Sequence, residues 1–126
     1  MIPERYAPVT YALFRIVFGY VFLLFGLQKI FGWFGAQGAV PLMSQQGAAG
    51  TIETLGGLLI MLGLFTRPAA FIASGEMAVA YFMAHAPQGF FPILNRGELA
   101  VLYCFVFLYL AAAGPGPWSL DAMRKR

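Results

Sequence analysis

The sequence predicts an all-α integral membrane protein: an up-down bundle of four helices with both termini in the cytoplasm. Three observations predict it. Only 10% of the 126 residues are charged and 60% are hydrophobic, whereas soluble domains carry about 25% charged residues; the mean hydropathy is +0.75. Four apolar stretches of roughly the ~20 residues that a span requires are separated by glycine- and proline-rich breaks. Lysine and arginine are also unevenly placed. With four spans, Arg5, Arg67, Arg124, Lys125 and Arg126 share one side, and Lys29 and Arg96 the other. That bias puts both termini inside.

The first span is expected over about 9–31, closed by Trp33 and Phe34 at the depth of an aromatic belt. Ala36-Gln37-Gly38-Ala39 resembles a cleavage site. The length of the stretch, Arg15 within it and the spans that follow argue against a removed leader. The connection Gly32 to Gly50 holds no charge, and Val40-Pro41-Leu42-Met43 reads as a short interfacial segment. The second span has its apolar core from about Thr51 to Phe65 and extends back to about Gly47, so it covers about 47–65. Thr66-Arg67-Pro68 is a tight turn, with Pro68 suited to the first turn of the third span, about 68–86. Pro87 to Pro92 breaks that helix. The fourth span, about 97–113, ends at Gly114-Pro115-Gly116-Pro117, with Trp118 as an anchor. Residues 1–126 form a single transmembrane domain on this reading.

Several functions are excluded early. So few charges cannot clothe a soluble enzyme or a nucleic-acid reader, and the apolar content excludes disorder. Cys104 is alone in an apolar run, so it has no internal disulfide partner. The single histidine, His85, excludes a haem held by two histidines of one chain. No metal site is expected, because Glu-x-x-His spacing is missing. No phosphate loop or Ser/His/Asp arrangement is present. The aromatic residues Phe14, Phe18, Tyr20, Phe22 and Phe25, and Tyr103, Phe105, Phe107 and Tyr109, are read mainly as lipid-facing.

Ionisable groups at membrane depth cost about 2.5–3.5 kcal/mol each, so their spacing is informative. Arg15, Gly19, Phe22, Gly26 and Lys29 share one face of the first helix. Glu53, Gly56, Gly57 and Ile60 form a second face, and Ala69, Ala73, Glu76, Ala80 and Met83 a third. From the helical rise, Arg15 lies roughly 9 Å and Glu76 roughly 13 Å from the cytoplasmic end. A buried Arg15–Glu76 ion pair follows as an expectation. Near the outer end, Lys29, Glu53, Glu98 and His85 come to similar depth, with Gln28, Asn95 and Arg96 nearby. His85, nine residues beyond Glu76, falls on another face of its helix. Two roles fit this outer group. Either Glu53 and Glu98 suit the dipoles of first turns while Lys29 snorkels, or the group is a polar pocket for a headgroup, a quinone ring or protons.

Four blocks of the chain resemble the DoxX family. They are Leu13-Phe14-Arg15 through Phe25-Gly26-Leu27-Gln28-Lys29, then Ile52-Glu53-Thr54-Leu55-Gly56-Gly57 through Thr66-Arg67-Pro68, then Glu76-Met77-Ala78 through Asn95-Arg96-Gly97-Glu98, and Gly114-Pro115-Gly116-Pro117-Trp118. The resemblance implies a small, multi-pass protein of the bacterial inner membrane. It is similar to DoxD, a subunit associated with thiosulfate:quinone oxidoreduction or a terminal quinol oxidase. Other relatives look like membrane partners in oxidative-stress and thiol-homeostasis complexes. The family's recurrent polar positions map onto Arg15, Lys29, Glu53, Glu76 and Glu98, with no catalytic role to carry over.

Three functions are compatible with these residues. The first is a membrane subunit or anchor of a redox complex, in contact with the bilayer and other redox proteins, with a quinone near Lys29 and Glu53 and its ring against Phe22 or Phe25. The second is a non-enzymatic scaffold that docks a partner through Phe90 and Phe91. The third is a small proton-coupled transporter using Glu76. An oligomer fits all three.

Overall fold

The structure is a computed structural model that describes residues 3–33, 38–85 and 97–124, with the side chains of 84 and 85 excepted. All regular structure among these residues is helical. A 3₁₀ turn, Glu4–Tyr6, leads into α1, Ala7–Phe31. Then come α2, Gln45–Leu62, and α3, Thr66–Ala80, which runs on into a π-helical turn, Tyr81–His85. After it come α4, Glu98–Ala113, and a short α5, Leu120–Arg124.

The helix ends follow local chemistry. Pro8 sits in the first turn of α1, where its missing N–H costs nothing, and Gly32 closes the helix at φ 72°. Ser44 caps α2 by accepting from the Gly47 N–H at 3.0 Å. Gly63 ends α2 in the left-handed region at φ 71°. Phe65 is also left-handed, at φ 50°, an uncommon conformation for a residue with a side chain. The Asp121 carboxylate holds it there, accepting from the N–H groups of Phe65 and Thr66 at 2.9 and 3.0 Å. Arg124 lies over the Phe65 ring, 4.7 Å from its centroid. Burial raises the Asp121 carboxyl, but the Thr66 and Phe65 N–H groups, with Arg124, outweigh it and hold the group below its ordinary value.

Helices α1 and α2 run antiparallel at close range because glycines line their contact. A Cβ on Gly19 would meet the Met61 backbone, one on Gly26 that of Thr54, and one on Gly57 that of Leu23. One on Gly50 would meet the Lys29 Cβ at 2.9 Å. These pairs fall on one antiparallel register, with the glycines seven residues apart on each helix. Close packing of this kind is what drives helix association in lipid, where apolar surface alone gives no advantage. Helices α3 and α4 form a second antiparallel pair, tied by the Ser74 hydroxyl donating to the Cys104 carbonyl at 2.7 Å.

The two pairs meet over an aromatic core. Phe22 packs on Phe107 at 4.7 Å and on Tyr103 at 5.9 Å between ring centroids. Phe22, Tyr103 and Phe107 therefore belong to the interior, with Ile60, Ala73 and Leu110, and only part of the aromatic set faces outward as expected. Tyr20, Phe105 and Tyr109 do, together with Leu13, Phe71 and Leu102, all at least half exposed. So large an exposed apolar belt is foreign to a water-soluble surface. By length and composition, Glu4–Phe31 qualifies as a membrane-crossing helix, whereas Glu98–Ala113 is apolar but shorter. The expected second span starts two residues earlier, at Gln45, and stops at Leu62. The third is α-helical only to Ala80.

Candidate functional site

Arg15 is fully buried, and its guanidinium is spent on main-chain carbonyls. Nε donates to Ile60 O at 3.0 Å, and Nη1 to Pro117 O at 2.9 Å and to Pro115 O. Nη2 donates to Trp118 O at 2.7 Å. Tyr11 joins this latch, donating from its hydroxyl to Gly114 O at 2.6 Å. The expected Arg15–Glu76 pair is therefore not formed. Arg15 lies level with the C-terminus of α2 and the proline turn. Glu76 lies ten residues into α3, roughly 15 Å along that helix. The Gly-Pro-Gly-Pro sequence carried the missed signal. Two prolines offer carbonyls but no N–H, so the turn leaves acceptors for an outside donor.

Glu53 is also buried, at 1% exposure. Lys29 Nζ donates to both of its oxygens, at 2.7 and 2.8 Å. A helical side chain leans toward its own N-terminus, so Lys29 reaches back from the end of α1 to Glu53. The sequence reading set Glu53 in a first turn. Because α2 begins at Gln45, Glu53 instead lies mid-helix, nine residues before Leu62. It is thus level with Glu76 on the other side of the α2–α3 turn. Glu53 and Lys29 are the charged groups that act on Glu76. Glu76 Oε1 is buried with no hydrogen-bond partner among the described residues.

These three side chains line a cleft of about 680 Å³. Helix α1 adds Phe22 and Phe25, and α4 adds Tyr103 and Ala100. From α2 come Gln45, Gln46, Ala49 and Ile52, and from α3 Ile72, Gly75, Met77 and Met83. The cleft thus has mostly apolar walls around one ammonium and two carboxyls. Of the expected outer group, it brings together Lys29 and Glu53 and adds Glu76. Glu98 does not join them: it is exposed in the first turn of α4. The His85 side chain, Asn95 and Arg96 lie outside the described residues, as do Phe90 and Phe91. Gln45 and Gln46 were missed because 32–50 read as a connection. Once Ser44 is taken as a cap, Gln46, Ala49 and Glu53 recur at steps of three and four on one face.

The sequence pattern of the DoxX family matches residues 10–86. The chain belongs to the DoxX family. That match covers Arg15, Lys29, Glu53 and Glu76, the polar groups of the latch and the cleft. An uncharacterised protein of Haemophilus influenzae is 48% identical, across 94% of this chain and 92% of its own length. The inner membrane protein YqjF of Escherichia coli is 30% identical, across 86% and 87%. An uncharacterised membrane protein of Mycobacterium tuberculosis, Rv3486, is 30% identical, across 90% and 80%. No solved structure matches the chain. The relatives named as inner membrane proteins agree with the apolar belt, and this member too is a bacterial inner membrane protein.

Proposed function

We propose that this DoxX protein is a membrane subunit of a redox complex, and that its cleft holds a quinone-type ring. Helices α1, α2 and α4, and α3 with its π-helical extension, all cross the bilayer on this reading, with both termini in the cytoplasm. The observation that carries the proposal is the joining of Lys29, Glu53 and Glu76 with Phe22, Phe25 and Tyr103 in one cleft. Apolar walls with a few convergent polar groups are the usual form of a small-molecule site. The ammonium suits a quinone carbonyl, the carboxyls suit the hydroxyls of its reduced quinol form, and the aromatic walls suit the ring.

The chain has a single cysteine, so it cannot close an internal disulfide; thiol chemistry in such a complex belongs to a partner. The test is mass spectrometry of the gently solubilised, tagged protein, reading co-purifying proteins and an organic extract together. Quinone enriched above a control membrane protein, and lost in Glu53→Leu/Lys29→Met, is the expected result. Recovery of neither quinone nor redox proteins would sink the proposal.

A further inference from the structure

We infer that the cleft is entered sideways from the lipid, across Gly75, and that Glu76 Oε1 receives a hydrogen-bond-donating head on an apolar molecule. The inference deepens the reading of the cleft as a ligand site and rests on it. The first observation is the wall itself. Gly75 lines the cleft, and a Cβ added there meets nothing within 4 Å. Its neighbours Ile72 and Val79, one turn to either side, are 56% and 54% exposed. From α2, the small residues Ala48 and Ala49 also line the cleft. The two walls are thus low where they face outward.

Depth decides what lies outside. Gly75 is nine residues into α3, roughly 14 Å from its start, which is near the middle of a hydrocarbon layer about 30 Å thick. A molecule arriving there comes from the acyl chains, so it is largely apolar.

Hydrogen bonding decides the head. Lys29 already donates to both oxygens of Glu53. A vacant partner in the cleft is Glu76 Oε1, a buried acceptor with no hydrogen-bond partner among the described residues. A buried acceptor left unmade costs free energy, and a ligand donor recovers it. A hydroxyl-bearing head, such as the reduced quinol form of a quinone, is the complement, and a head with acceptors alone is not.

The probes are para-dodecylphenol and its methyl ether, which share an apolar body and differ by one O–H. Binding to the full-length protein in lipid nanodiscs is read by native mass spectrometry. The phenol is expected to bind about tenfold more tightly than the ether, and Glu76→Leu to abolish that preference. Gly75→Leu, which sets a branched side chain at the proposed entrance, is expected to abolish phenol binding, while Gly75→Ala retains it. If Gly75→Leu fails to fold, Gly75→Cys in a Cys104→Ala background replaces it. The phenol should then slow alkylation of Gly75→Cys by a lipid-soluble maleimide. Equal binding of phenol and ether overturns the assignment of the head. Full phenol binding to a folded Gly75→Leu variant, or alkylation that ignores the phenol, overturns side entry. Either result leaves quinone recovery from the wild-type protein standing as the separate test of the redox proposal.

Discussion

Lys29 Nζ reaches both carboxylate oxygens of Glu53, at 2.7 and 2.8 Å, from the neighbouring antiparallel helix. The ammonium keeps about a third of its side chain exposed, while the carboxylate is almost wholly enclosed. The pair is therefore asymmetric, and the two single removals differ in consequence.

Removing the lysine strands a buried carboxylate. Lys29→Met should lower stability by about 3 kcal/mol, read by denaturant unfolding in detergent. Glu53→Leu should cost less, since the lysine left behind reaches solvent or headgroups. The double variant Lys29→Met/Glu53→Leu should recover much of the loss. A double variant no better than Lys29→Met alone would mean that the pair does not act as a unit.

Arg15 predicts a different pattern, because its partners are carbonyls. Arg15→Met leaves Ile60 O, Pro117 O and Trp118 O without their shared donor. Stability should fall and the turn 114–119 should become sensitive to protease. Arg15→Lys should not rescue it, since an ammonium cannot span the fork. Nor should Glu76→Leu compensate for Arg15→Met. Compensation would restore the Arg15–Glu76 pair that the side-chain geometry denies.

Two glycines should respond with opposite signs. Gly26→Ala drives a methyl into the Thr54 backbone, and should separate α1 from α2 at a cost of about 2 kcal/mol. Gly75→Ala adds a methyl to open space in a helix, and should be neutral or stabilising by up to about 1 kcal/mol. Melting temperatures of the two variants, measured side by side in one detergent, decide it.

The Asp121 clamp on Phe65 and Thr66 should fail in acid. Its carboxyl titrates below its ordinary value, so its folded pKa lies beneath the unfolded one, near ~3.9. Its contribution is complete above the unfolded value and vanishes as pH falls through the folded one, that is, below about pH 4. Asp121→Asn should lower stability at neutral pH and flatten this acid limb. An unchanged limb in Asp121→Asn would assign the acid loss to other carboxyls.

The topology proposal has its own check. Reporter fusions at Met1 and Arg126 should both report the cytoplasm, and a reporter in the 87–96 connection should report the outside. Termini on opposite sides would exclude an even number of crossings.

The helices were legible because their signals are local. The breaks at Gly32, Thr66-Arg67-Pro68 and Gly114-Pro115-Gly116-Pro117 stand out in the sequence itself, whereas the end signals at Pro8, Ser44 and Gly63 went unread. The α1 face was legible too: Gly19, Phe22 and Gly26 are buried together, as their spacing requires. The partner of Arg15 was not, because periodicity reports which way a side chain points but not what stands opposite. A search for an opposite charge passed over a proline turn that offers only dipoles. Glu53 was misplaced for a smaller reason. A helix start taken too late in the chain turned an interior residue into a terminal one, and hid the level it shares with Glu76. The Glu53–Lys29–Glu76 grouping thus depended on a boundary, and boundaries are the weakest part of any reading by composition.

The latch on Arg15 also orders events in time. The guanidinium leaves the ribosome 100 residues before the Pro115 carbonyl that receives it. Over that interval the first helix carries a cation for which Ile60 O alone, of its four acceptors, has been made. Until the proline turn emerges, that cation must stay hydrated or lean on the translocation machinery. Residues made a hundred positions later are thus the ones that allow Arg15 to settle, and a chain stopped at Ala113 would keep its guanidinium unlatched.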